Sequence, residues 1–147
     1  MKPATPLDEI LEADWQKSVI DIARTFGWRV AHFRPAVTSK GWRTAVAADG
    51  KGYPDLSLAR DRVVFIECKR EKGGLADEQR RWVVALLNAY AEVYVVRPRD
   101  LQRLGAVLAA RSSSGSAEDL STEAGRLARV ELCHALELEL GPAESAA

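Results

Sequence analysis

The sequence predicts a mixed α/β domain, with a central sheet of about four strands flanked by helices. Three observations carry that prediction. Apolar side chains recur at helical spacing from Leu11 to Phe26. Three short runs rich in Val, Leu, Ile and Phe, at 56–59, 63–69 and 91–97, read as strands. A second amphipathic stretch, 77–89, separates the last two of these, so a right-handed crossover should join them.

The totals set bounds. The chain has 147 residues, 47% hydrophobic and 29% charged, which fits one ordinary globular domain with a real core. Net charge is zero but unevenly spread: 18 Lys and Arg stand against 14 Asp and Glu through residue 104, and 3 against 7 beyond it. A mildly basic body with an acidic tail suits a polyanion-binding core. Cys68 and Cys133 have neither CxxC nor zinc-type spacing, so reduced thiols are expected. No apolar run is long enough to span a bilayer and the N-terminus lacks a signal-peptide core, which predicts a soluble cytoplasmic protein with no membrane partner.

In chain order, Thr5-Pro6-Leu7-Asp8 predicts a helix start, with Thr5 as cap and Pro6 at the first position. Leu11, Trp15, Val19, Ile22 and Phe26 form its apolar stripe, and Gly27 ends it. Glu12 and Gln16 lie one turn apart on its flank; read alone, Glu12 is a solvated helix acid. Trp28 to Arg34 alternates as a first strand; its His32 reads either as ending near the site or, as is commoner for a strand histidine, as structural. Residues 35–54 lack periodicity; Lys40, Arg43, Lys51 and Trp42 make them either a basic loop for phosphates and bases or a plain soluble loop. Strands Leu56–Ala59 and Val63–Lys69 follow, joined by the hairpin Arg60-Asp61-Arg62. The helix Asp77–Ala89 presents Trp82, Leu86 and Ala89 on one face. Strand Ala91–Arg97 stops at Pro98, and Asp100 caps a core helix through Leu101, Leu104 and Leu108. The order is α-β-β-β-α-β-α. Ser112 to Ser116 reads as a linker, and Ser121 to Leu140 as a helix or a disordered tail. Trp15 and Trp82 are expected in the core, Trp28 and Trp42 at the surface. Cys133 and His134 lack partners for a metal site.

The chemistry concentrates between Gly52 and Lys69. Side chains two apart on a strand share a face, so Glu67 and Lys69 point the same way. An acid and a base at the end of an apolar run need partners. Asp55, brought across by the hairpin, and a divalent metal supply them. Magnesium and manganese accept oxygen ligands, here the Asp55 and Glu67 carboxylates and the Cys68 backbone carbonyl. Lys69 would orient or help deprotonate a water and offset charge on the phosphate. Gln79, at a helix start, would hydrogen-bond that water or a phosphate. Each residue also has a plainer reading: Asp after Pro is common in turns, and acid-x-Lys on a strand is often an ion pair.

Gly52-Tyr-Pro-Asp-Leu56, Phe65-Ile-Glu-Cys-Lys69 and Gly73-Gly-Leu-Ala-Asp-Glu-Gln-Arg-Arg-Trp82 together resemble the PD-(D/E)XK nuclease superfamily, and within it the small stand-alone VRR-NUC proteins of phages and bacteria. The similarity covers roughly residues 8–108. Glu12-Ala-Asp-Trp-Gln16, continued by Val19 to Trp28, resembles the family's first helix, which makes Glu12 an acidic site residue. The resemblance implies a restriction-endonuclease-like core over 6–110, Asp55 and Glu67 as metal ligands, Lys69 as the catalytic lysine and Gln79 completing the motif. It further implies dependence on magnesium or manganese, 5′-phosphate and 3′-hydroxyl products, and a homodimer acting on branched DNA such as four-way junctions. Ala76-Asp77 departs from the family's Ser/Thr-Pro helix cap, and the tail, 111–147, lies outside the similarity. Two other readings stand beside the endonuclease: a non-catalytic nucleic-acid-binding module on the same fold, and a nuclease directed by a protein partner through the acidic tail.

Overall fold

A computed structural model describes residues 3–33, 36–43 and 46–111. The expected linker at 112–116, the tail helix, Cys133, His134 and the Trp42 side chain lie outside the described residues.

The main sheet has four strands in the order β1–β4–β5–β6: β1 (Arg29–His32), β4 (Leu56–Ala59), β5 (Val63–Cys68) and β6 (Glu92–Val96). β1 and β4 pair antiparallel, as do β4 and β5, whereas β5 and β6 pair parallel across the crossover helix α2 (Asp77–Asn88). The sheet is therefore mixed, as expected. Helices α1 (Glu12–Thr25) and α3 (Leu101–Ala109) pack against each other. Trp15, Val19 and Ala23 of α1, Leu104 and Leu108 of α3, and Leu56, Leu58, Val64 and Ile66 of the sheet form one buried cluster. Each such Leu, Ile or Val contributes about 1.5–3 kcal/mol by leaving water. Among the described residues no helix is long and apolar enough to cross a membrane.

Several elements depart from their expected form. Thr5 and Pro6 start a 3₁₀ turn, Pro6–Glu9, rather than the long helix. Ile10 and Leu11 are extended, and α1 begins at Glu12. The α1 stripe runs through Trp15, Val19 and Ala23, leaving Leu11 and Phe26 exposed. Gly27, at φ +82°, stops the helix as expected. Trp28 is in the core: its indole N–H donates to the Leu108 carbonyl at 2.8 Å, and the Arg60 and Arg62 guanidiniums lie over its ring. Part of the expected loop 35–54 is a separate tight hairpin, β2 (Ala36–Thr38) with β3 (Gly41–Arg43). In α2 the buried residues are Val83 and Leu87, while Trp82 is half-buried and Ala89 exposed. Leu101 is exposed too, and Asp100 accepts the Arg97 N–H rather than capping α3 with its side chain. In each helix the buried stripe is set by which flank meets the sheet, which periodicity alone leaves open by one position.

Candidate active site

The turn before β4 brings Asp55 into place. Gly52 has φ +81°, and a Cβ added there would sit 2.5 Å from the Glu78 carbonyl carbon and 2.7 Å from the Gln79 nitrogen. Only glycine lets this turn seat against the first turn of α2. Leu56 pairs with Ile66 in the β4–β5 ladder, so the preceding step sets Asp55 level with Glu67. The Asp55 N–H helps to favour the Glu67 carboxylate. In return, the Cys68 N–H donates to Asp55 Oδ2 at 2.9 Å. Asp55 is thus fixed by the strand that carries Glu67.

Lys69 and Gln79 close a triangle on Glu67. Glu67 Oε1 receives Gln79 Nε2 at 2.6 Å and lies 3.0 Å from Lys69 Nζ. Lys69 Nζ donates to Gln79 Oε1 at 2.9 Å, and the same oxygen accepts the Ala76 N–H at 2.9 Å. Ala76 has no capping side chain, so Gln79 caps α2 by reaching back, as the third residue of a capping box does. Helix start and site share one side chain. Lys69 and Glu67 are both buried, at 8% and 1% exposure, so their pairing is not a solvated surface bridge.

The start of α1 supplies the fourth side. Because the helix begins at Glu12 rather than Thr5, its first turn faces the sheet end. Glu12 is half-buried, accepts the Arg70 N–H, and feels the charges of Lys69 and Asp55. This corrects its reading as a solvated acid. Gln16, one turn on, favours the Asp55 carboxylate as a nearby donor. His32 also favours the Asp55 carboxylate, through its charge. Gln16 was not expected in the site, and His32 was expected either near it or as a structural residue. The sequence signal for Gln16 was its place one turn after Glu12, whereas the pairing of His32 with Leu56, next to Asp55, came only with the strand register.

Burial dominates the electrostatics. Desolvation pushes Glu67 up to about 7, and repulsion from Asp55 adds to it against the pull of Lys69. Desolvation also raises Asp55, opposed by the Cys68 N–H, Lys69, Gln16 and His32. Glu12 rises for the same reason, and Asp55 adds to it. The Cys68 thiol is fully buried and burial drives its pKa up, so that residue offers the site its backbone alone. Carboxylates crowded out of water beside a single lysine form a donor set suited to a hard cation. Among the described residues, no three His, Cys, Asp or Glu side chains form a metal group. Asp55 and Glu67 could offer an ion two carboxylates, a number magnesium commonly accepts.

The structure thus brings together Glu12, Asp55, Glu67, Cys68, Lys69 and Gln79, drawn from α1, the turn before β4, the end of β5 and α2. No family model, no curated protein and no solved structure matches this chain.

Proposed function

We propose that this protein is a metal-dependent DNA endonuclease on a restriction-endonuclease-like core, resembling the VRR-NUC proteins and acting as a homodimer on branched DNA such as four-way junctions. The observation that carries the proposal is the convergence of Asp55, Glu67, Lys69 and Gln79, with Glu12 beside them, at one end of the sheet. Asp55, Glu67 and the Cys68 carbonyl would hold magnesium or manganese. When bound, such an ion supplies Lewis acidity toward the phosphodiester and acidifies water.

The chain's own groups do the rest. Lys69 Nζ, held by Gln79, presents a positive charge to the non-bridging oxygens as water adds to phosphorus. Water's proton leaves to the solvent side, the P–O3′ bond breaks, and the leaving oxygen takes up a proton. The products are a 5′-phosphate and a 3′-hydroxyl. Gln16 favours the Asp55 carboxylate, and Glu12 adds a further acid beside it. A two-fold dimer would present one such site to each of two strands.

The test is a panel of labelled DNAs: a four-way junction, a flap, a duplex and a single strand. Each is incubated with Mg²⁺, Mn²⁺ or EDTA, beside Lys69→Ala. Metal-dependent paired nicks in the junction, absent from the variant, are the expected result. Cleavage of flaps or ends instead would discard the junction preference and keep the chemistry. Binding with no turnover on any substrate would favour a non-catalytic or partner-dependent module.

A further inference from the structure

Phe33 neighbours Asp55 of the candidate site. Its N–H donates to the Asp55 carbonyl at 3.1 Å, which sets it beside Asp55 in the sheet, on the side away from Glu67. Yet the residue is 48% exposed. Single exposed apolar side chains are ordinary on protein surfaces. Phe33 differs in being buttressed. Its ring centroid lies 5.5 Å from that of Tyr53, with the planes at 89°. Tyr53 in turn meets Phe65 at 6.1 Å and Trp82 at 5.0 Å, both also near perpendicular. The Tyr53 hydroxyl shares a hydrogen bond with Ser57, and the Trp82 indole N–H donates to the Asp49 carbonyl. A row of aromatic rings therefore runs from α2 across the sheet and ends in a ring half in water beside the carboxylates. A perpendicular contact covers at most one face of Phe33, so Tyr53 steadies the ring without covering both faces.

We propose that Phe33 is a stacking platform for an unpaired nucleobase next to the scissile phosphodiester. The proposal rests on the nuclease reading and gives it a basis for selectivity. Every base has a π-face, so such a platform is tolerant of sequence, but a base must leave its stack to reach it. DNA with an unpaired nucleotide beside the cleavage point is therefore preferred over continuous duplex. A platform fixed by three further rings loses little freedom when the base arrives, which favours binding.

The test is binding in EDTA, followed by fluorescence anisotropy, of a labelled single strand, a junction with one unpaired nucleotide, and a blunt duplex. Wild type is compared with Phe33→Ala, Phe33→Trp and Leu101→Ala, the last an exposed apolar control on α3. Phe33→Ala should weaken binding of the single strand and the junction by about 5–100-fold while leaving the duplex unchanged, and Phe33→Trp should restore it. A fluorescent purine analogue at the unpaired position should be quenched on binding wild type or Phe33→Trp but not Phe33→Ala, and one paired within the duplex, already stacked, should not change on binding. Equal losses on all three DNAs, no loss at all, or a Phe33→Trp variant that melts like wild type but does not restore binding would each overturn the proposal. Binding in EDTA is separate from turnover. Cleavage that needs Lys69 while binding ignores Phe33 would remove the platform and keep the nuclease. Phe33-dependent quenching without any cleavage would keep the platform and remove the nuclease.

Discussion

Glu67 carries the cost of assembling the site. In the unfolded chain its carboxyl ionises near 4.5, whereas burial and Asp55 hold the folded value at about 7. Between those values the folded protein keeps a proton that the unfolded chain has released. Stability in EDTA should therefore fall as pH rises through that window and level off above it, by at most about 3 kcal/mol. Asp55 and Glu12, both raised, act in the same direction. Thermal melts at a series of pH values would show the slope, and Glu67→Gln should flatten it. An unchanged slope in that variant would place the titration elsewhere. A second prediction concerns Gln79, whose Nε2 and Oε1 bridge Glu67 and Lys69. Gln79→Ala should lower cleavage by about 10–100-fold, as expected for a group that orients others. Lys69→Ala should lose at least about 100-fold with the fold retained. Full activity in Lys69→Ala, measured beside a normal circular dichroism spectrum, would sink the assignment.

At the scale of elements, two junctions matter, one beside the site and one away from it. The first is the close approach of the Gly52 turn to α2. Gly52→Ala adds a Cβ against backbone atoms at a positive φ, and should cost at least about 1–3 kcal/mol in urea unfolding. Because α2 carries Gln79, it should lower cleavage too. The second lies at the other end of the sheet. Arg60 donates to the Phe26 carbonyl at 3.0 Å and to Leu108 at 2.9 Å, and Arg62 donates to Val107 at 2.9 Å and Ala110 at 2.8 Å. Cationic groups on the last carbonyls of α3 suit its negative end. Arg60→Ala should destabilise by about 1.5–3 kcal/mol, read from the same unfolding curves, with catalysis unaffected because the clamp lies at the far end of β5. The motif made this hairpin legible as a connection, but its second role as a helix clamp needed α3 in place.

For the whole molecule, the buried cluster among the described residues is assembled between Trp15 and Leu108, and the end of α3 is held by the Arg60, Arg62 and Trp28 side chains. A chain ending at Arg111 should therefore keep a cooperative melt and its basal cleavage. If residues 112–147 dock a protein partner, that binding alone should disappear, and unchanged capture of the partner would count against the docking role. Collapse of the melt in the shortened chain would assign those residues to the core instead.

Local pattern by itself determined the mixed α/β class, the order of the main elements, and Asp55, Glu67 and Lys69 as a set. Strand alternation and hairpin length depend only on neighbours in sequence, and they put those three residues within reach. The tertiary structure decided what local pattern leaves degenerate. Breaking the N-terminal helix at Ile10 and Leu11 turned Glu12 from a flank residue into the first residue of a helix aimed at the sheet end. The flank each helix offers the sheet moved the buried stripe of α2 to Val83 and Leu87 and freed Trp82 to join Tyr53. Trp28 lost its expected exposure because α3, far along the chain, brings the Leu108 carbonyl to its indole. Those contacts span long sequence separations, and the free energy that selects among neighbouring helix faces comes from the packing they create.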